Sequence, residues 1–497
     1  MSSHICRRCL SKASASDHSL LLRLSSAQSR IPPLRLSIAP FSTSVPLFAL
    51  PPKKKSAVAK TERNIRGVKR TFTKKKDKLQ KVDRSRKPAI GERKALRKRV
   101  VLSNDNALEV HDLQDISAEI LKNNSLQGRV IGIPPTVVTQ LRAVEAFKPA
   151  QGWPLFRRPA MLIREETTDL AKEMEEIESL EEGKKRAIRR ILVGERGSGK
   201  TLMLLQAMTL AFLKGWVVIN IPEAQDVVLA QTEYGPIPST TPTQYYQKTY
   251  TANLLSAIAR ANPILQSLQL SQQPSPTSSN SPIPIPIPDN ISLSRLCTLG
   301  ASDPTAAWPI FQLLLHELTL PNQSRPPLLL TLDGLSHTMQ NSHYRSASYE
   351  LIHAHDLSII RFFIDHLSGS SPLPNGGIVM AATSKSNHPV VPSLELALGQ
   401  LESAGKVERD PYGKYDERVL AVFNNSGGSK GMEGGNRVEV QRLGGVGKEE
   451  ARALMEYWAK SGVCRQRIDE GFVGEKWTMS GGGYVGELER AVVRMRV

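Results

Sequence analysis

Apolar residues along this chain fall into short unbroken runs, and between them the spacing changes to that of helices. Ile191-Leu192-Val193, Val217 to Ile221, Leu328 to Leu332 and Gly377 to Ala382 are such runs, each closed by turn-forming residues. Strands buried on both faces of a parallel sheet have this pattern. Leu202 to Leu213 is apolar on nearly every side and predicts a buried helix. Leu170, Met174, Ile177 and Leu180 recur at helical spacing within residues 165–182, where nine acids face Lys172 alone. That segment predicts a surface amphipathic helix with an acidic outer face. Glu449 to Ser461 and Gly486 to Arg496 read as further helices. Strands alternating with helices predict a doubly wound α/β domain.

Two low-complexity pieces interrupt the pattern. Residues 271–290, rich in Ser and Pro, cannot form helix and read as an extended insertion. Residues 424–436 read as a Gly-rich surface loop. No apolar run approaches the roughly 18 residues that span a bilayer, which excludes membrane insertion.

The formal charge of +19 is unevenly placed. The first hundred residues hold 27 Lys and Arg against 5 Asp and Glu, and the other 397 hold 39 against 42. A nearly neutral body thus carries a basic arm, which points to a polyanionic partner for the arm alone. Within it, residues 1–50 are rich in Ser, Leu and Arg with one acid, Asp17, as in a mitochondrial transit peptide. Residues 51–100 carry Lys53-Lys54-Lys55, Lys74-Lys75-Lys76 and Arg97-Lys98-Arg99 with a single aromatic, Phe72. Charge without stacking groups predicts contact with an RNA phosphate backbone and little reading of bases. The 4 cysteines argue against a disulfide framework. Cys6 and Cys9 form a C-x-x-C whose other half is missing, since Cys297 and Cys464 stand alone.

One motif carries chemistry. Gly194-Glu195-Arg196-Gly197-Ser198-Gly199-Lys200-Thr201 fits G-x-x-x-x-G-K-[ST], with a strand before it and a buried helix, opening at Leu202, after it. Its glycines let backbone N–H groups surround a phosphate, Lys200 places a cation between the β- and γ-phosphates, and Thr201 offers a hydroxyl to Mg²⁺. The helix that starts there adds its positive dipole end. The motif needs a second carboxylate at the end of a neighbouring strand to hold the Mg²⁺ water shell, and Asp333, ending Leu328-Leu-Leu-Thr-Leu-Asp, supplies it. Hydrolysing proteins of this design usually follow that Asp with a Glu that polarises water. Here Gly334 takes the place, and Glu195, Glu223 and Asp226 are weak substitutes. The sequence therefore predicts nucleotide binding over turnover, short of a factor of roughly 10²–10⁴ from a missing base. Thr383 or Ser384, after the next strand, could meet the γ-phosphate or the water. The base is not legible: Thr383-Ser384-Lys385-Ser386 lacks the acid of a guanine signature, and no arginine finger can be named.

Together these residues resemble the mitochondrial small-ribosomal-subunit P-loop protein family, known in animals as death-associated protein three, in a fungal form. The likeness rests on Ile131-Gly-Ile-Pro-Pro with Phe147 and Met161-Leu-Ile-Arg164, on Leu192 to Thr201, on Val218-Ile-Asn-Ile-Pro222, on Leu332-Asp-Gly334, and on Ser480-Gly-Gly-Gly483 with Gly486-Glu-Leu-Glu489. The leader and the Pro/Ser insertion fall outside it. The resemblance implies an α/β P-loop NTPase fold, AAA-like, whose parallel sheet is flanked by helices, with a helical C-terminal lid; the basic N-terminal arm, disordered or extended, is read from its charge alone. Composition and charge give a transit peptide at 1–50 and an RNA-contacting extension at 51–100, while the resemblance, over about residues 110–497, implies a family segment packing on the core at 101–186, the P-loop core at 187–423 and the lid at 424–497. It also implies GTP or GDP as ligand, with ATP not excluded, and Mg²⁺. Carried over by position, Gly197, Gly199, Lys200 and Thr201 touch nucleotide and Asp333 lies on the Mg²⁺ side. Relatives of the AAA type carry Gly-Asn-Pro-Arg before the last helix; Gly483-Tyr-Val-Gly486 here lacks that Arg. The implied role is structural and non-enzymatic. It sits in the mitochondrial matrix, in the small-subunit head near the subunit interface, touching small-subunit rRNA, other head proteins and the large subunit across a bridge. Two other readings remain at this stage: an AAA-type NTPase acting on nucleic acid or protein, and a soluble signalling switch.

Overall fold

The computed structural model describes residues 100–117, 126–181, 185–238, 240–271, 286–321, 325–385, 389–403, 406–424 and 438–494. The expected transit peptide, the basic extension up to Arg99, the Cys6/Cys9 pair, residues 272–285 of the Pro/Ser insertion and residues 425–436 of the Gly-rich loop lie outside the described residues.

Strands β1 (Val130–Gly132) and β2 (Ala160–Leu162) pair antiparallel around helix α1 (Pro135–Ala143), and α2 (Glu165–Ser179) leads on to β3 (Ala187–Val193). Helix α3 (Lys200–Leu213), strand β4 (Val217–Ile221) and the short α4 (Ala224–Val228) follow. A ribbon of β5 (Tyr234–Pro236) and β6 (Tyr245–Gln247) precedes helices α5 (Lys248–Ala261), α6 (Leu293–Ser302) and α7 (Ala307–Leu318). Strand β7 (Leu328–Asp333) is followed by a second ribbon, β8 (Asn341–Arg345) with β9 (Leu351–His353), then α8 (Ser358–Ser368) and β10 (Gly377–Ala382). Helices α9 (Pro392–Glu402) and α10 (Glu417–Asn424), strand β11 (Val438–Arg442), and helices α11 (Lys448–Lys460), α12 (Glu470–Met479) and α13 (Val485–Glu489) close the order, with a π-helical turn at Arg490–Arg494.

Five strands form one parallel sheet in the order β11-β3-β10-β7-β4. Its residues alternate between two apolar layers, as a strand's period of two requires. Leu192, Val218, Leu329, Ile378 and Met380 face α3 and the segment before β3, whereas Ile191, Ile219, Leu330 and Val379 face α5 to α8. Helices on both faces give the α/β architecture read from the alternation. A third cluster joins Phe156 and Leu162 to Leu454, Trp458, Val473 and Leu488 of the last helices.

Three differences from the sequence reading have physical causes. Strand β3 begins at Ala187, four residues before its apolar run, because the arginines at its centre find partners. Arg189 Nε donates to His366 O at 2.8 Å. Arg190 donates to both oxygens of Glu173 at 2.6 and 2.9 Å and to Glu439 at 3.0 Å. Part of the acidic face of α2 is thereby tied to the sheet: Glu178 also accepts from Lys214 and from the Trp216 indole, each at 2.7 Å. The expected terminal helix is the short α13 followed by the π turn. Strand β11, whose residues 438–442 read Val-Glu-Val-Gln-Arg, joins the sheet as an edge that the apolar runs did not reveal.

Candidate functional site

The parallel register sets the carboxyl ends of β3, β10 and β7 level, with Ala382 opposite both Leu192 and Asp333. The carboxyl edge of such a sheet is where α/β proteins hold ligands. Strand β10 lies between β3 and β7, so Asp333 ends the next-but-one strand from the glycine loop and not the adjacent one.

The loop turns from Val193 into α3. Gly199 sits in the left-handed region at φ 102° and ends the loop, and Lys200 begins the helix with its first N–H groups lacking intrahelical acceptors. Lys200 Nζ donates to Gly194 O and Glu195 O, each at 2.8 Å. Burial pulls the Lys200 ammonium below its ordinary range, while Asp333 and Glu195 oppose the shift. Ser198 is fully buried, and its Oγ has no hydrogen-bond partner among the described residues. Arg164 braces the loop from below, donating to Ser198 O at 3.0 Å and to Gly444 O at 3.3 Å.

Opposite the loop, Thr201 Oγ1 donates to Asp333 Oδ2 at 3.0 Å. Gly334 follows in the left-handed region, φ 86°, and its N–H donates to Ala382 O at 2.9 Å. A Glu at 334 would thus be strained as well as new. The Thr383 hydroxyl donates to Leu192 O at 3.0 Å, directed at the end of β3, while its residue still lines the cleft. Of the three substitute carboxylates, Glu223 lines the cleft; Glu195 and Asp226 do not.

The far wall comes from the carboxyl-terminal segment. Gly486 N–H donates to Gly197 O at 2.9 Å, and a Cβ on Gly486 would stand 3.0 Å from Gly197 Cα. The Ser480–Gly483 turn is equally close-packed: Val446 N–H donates to Gly483 O at 2.8 Å, and the Trp477 indole donates to Val446 O at 2.8 Å. The Gly483-Tyr-Val-Gly486 stretch lacks an Arg, but four residues on Arg490 lines the cleft beside Glu489 and pairs with Glu487 at 2.7 Å.

The resulting cleft has a volume of about 480 Å³, within the usual ligand-pocket range. Arg196, Gly197, Gly199, Lys200, Thr201 and Leu202 line it with Asp333. Gly194 and Glu195 contribute carbonyls to Lys200, and Ser198 lies beneath the loop, so these three support the lining without belonging to it. The sequence reading missed Lys148, His337, Lys385 and Arg490, which also line it. Lys148, Lys385 and Arg490 had local signals, as the neighbours of Phe147, Ser384 and Glu489; His337 had none. The residues fit a polyphosphate with Mg²⁺: five basic side chains face three acids, and one Thr–Asp pair is what Mg²⁺ takes from protein when phosphates supply the rest. No group of three or more His, Cys, Asp or Glu suited to a metal exists among the described residues, nor a helix long and apolar enough to cross a membrane. Cys297 is a core thiol that burial pushes up to about 12.

Fold and cleft together define a parallel α/β protein with a strand–glycine loop–helix site at the carboxyl edge of its sheet. Residues 161–491 match the family described as mitochondrial ribosomal death-associated protein 3. The chain is 45% identical over 425 residues to small ribosomal subunit protein mS29 of Neurospora crassa, covering 84% of this chain and 86% of that protein. It is 24% identical over 368 residues to small ribosomal subunit protein mS29 of Schizosaccharomyces pombe, covering 73% of this chain and 71% of that protein. The chain belongs to the mitochondrial ribosomal death-associated protein 3 family, and the mitochondrial matrix is its compartment.

Proposed function

We propose that this protein is a structural constituent of the small subunit of the mitochondrial ribosome and holds GTP or GDP with Mg²⁺ as a permanent part of its fold. In this reading it lies in the subunit head near the large subunit, and the basic extension, residues 51–100, contacts rRNA phosphates. The observation that carries the nucleotide half is the loop itself: Lys200 held by two carbonyls opposite a Thr201–Asp333 pair, with Gly334 in a backbone conformation that disfavours the water-polarising Glu. Bound Mg²⁺ would neutralise phosphate charge from the Thr201–Asp333 side. Arg196, Lys200, Lys385 and Arg490 would meet the phosphates. An apolar cavity of about 130 Å³ behind Leu202, walled by Trp153, Phe156 and Tyr457, adjoins the cleft and would take the base.

A ligand held at a thousandfold excess over its dissociation constant stabilises its host by about 4 kcal/mol. Lys200→Ala is therefore expected to lower the thermal midpoint and reduce the protein's incorporation into small subunits, read by sucrose gradient with nucleotide extraction from the peak. Normal stability and incorporation of a variant shown to be empty of nucleotide would sink the scaffold reading. Phosphate release by the pure protein faster than about 1 s⁻¹ would favour an NTPase instead.

A further inference from the structure

Lys148 brings a positive charge to the cleft from outside the glycine loop. It follows Phe147 in the connection between α1 and β2, and its side chain reaches the carboxyl edge of the sheet. There Lys148 Nζ donates to Pro222 O, just past β4, and sits 3.7 Å from Asp333 Oδ2. That same oxygen accepts the Thr201 hydroxyl at 3.0 Å. The ammonium therefore shares a carboxylate oxygen with the group that faces Mg²⁺, and the two side chains are only 21% and 17% exposed.

The connection that carries Lys148 is held in place. Its own N–H donates to Gln151 Oε1 at 3.0 Å, and the Trp153 indole donates to the same oxygen at 2.5 Å. Trp153 is buried edge-on against Phe147, with ring centroids 5.1 Å apart. A flexible surface lysine has none of these restraints. Lys200 covers the loop flank through the Gly194 and Glu195 carbonyls, and Lys148 covers the opposite flank.

Resting on the nucleotide reading above, we propose that Lys148 is a positioning residue, a tethered cation on the Mg²⁺ side of the cleft that keeps nucleotide bound when the metal is scarce. A fixed ammonium beside Asp333 balances that carboxylate and the nearest phosphate oxygens without the dehydration that Mg²⁺ resists. The nucleotide then depends on the metal less than a site with Thr201 and Asp333 alone would.

The test measures GDP dissociation constants of the full chain by calorimetry, in millimolar Mg²⁺ and in excess EDTA. For the unaltered protein, chelation is expected to weaken binding by less than about tenfold. For Lys148→Met, which keeps the stem and loses the charge, it is expected to weaken binding a further roughly ten- to hundredfold, the usual worth of a charged hydrogen bond. Lys148→Arg should restore most of the difference, which loss of packing alone would not produce. Equal metal dependence in the unaltered protein and Lys148→Met overturns the inference. So does complete release of GDP from the unaltered protein on chelation, a result that needs no variant. Absence of GDP binding by the unaltered protein even in Mg²⁺ is a different result, and it removes the nucleotide reading together with this one.

Discussion

Gly486 shows how much a single missing side chain can matter. Its backbone N–H holds Gly197 O at 2.9 Å, so the glycine loop leans on a residue from the far end of the sequence. A side chain at 486 would meet Gly197 Cα at 3.0 Å and push the loop away. Gly486→Val is expected to weaken nucleotide binding by about tenfold or more while leaving the far-ultraviolet spectrum unchanged, since the contact shapes the loop and not the sheet. Calorimetric titration with GDP measures it. Lys200 makes a related point about charge. Burial holds its ammonium below the ordinary range, and a neighbouring phosphate would oppose that shift.

At the scale of elements, the turn between β9 and α8 joins fold to pH. His355 is buried there, and burial, with help from His353, Arg361 and Arg418, pulls its imidazole down to about 3. His353 is also shifted down, chiefly by burial, with Asp416 and Asp356 opposing and Arg418 reinforcing. A histidine depressed in the folded state is stable when neutral. Its contribution is complete above the unfolded value near 6.5 and is lost as pH falls below it toward about 3. His355 alone should cost about 2 kcal/mol of stability by pH 5. Denaturant melts between pH 7 and 5 are expected to show this slope, and His355→Gln should flatten it. Val217–Ile221 and Gly377–Ala382 have the bounds their runs suggested, because every residue of both strands is buried and the one polar position, Asn220, is bonded inside the fold to Val144 O and Thr331. Strand β3 extends beyond its apolar run because Arg189 and Arg190 break the pattern, and their partners His366, Glu173 and Glu439 come from other elements. β11 was not read at all, since only Val438 is buried and Glu439 and Arg442 look outward to ion pairs. In the cleft, the residues adjacent in sequence were legible as a motif. Lys148, His337, Lys385 and Arg490 lie outside that motif, and tertiary packing brings them to it.

For the whole molecule, charge separates the arm from the body. A segment with 21 Lys and Arg in fifty residues should dominate any RNA affinity. The logarithm of RNA affinity is expected to fall steeply with the logarithm of salt, by about 0.7 per neutralised phosphate on single strands. Removing residues 1–99 should flatten that slope and leave the melting of the remaining chain unchanged; filter binding at several salt concentrations reads the first, and calorimetry the second. A steep slope that survives the truncation would move the RNA contact onto the body.

Strand β11 has a consequence for how such a chain is made. It pairs in parallel with β3 from Val438↔Arg189 to Arg442↔Val193 and covers that strand's outer border. Synthesis delivers β3 early and its cover late, after every other strand of the sheet. In the interval β3 offers a row of open N–H and C=O groups to any neighbouring polypeptide. Premature termination anywhere between the two leaves a sticky template, so quality control, more than lost chemistry, would decide the fate of truncated copies.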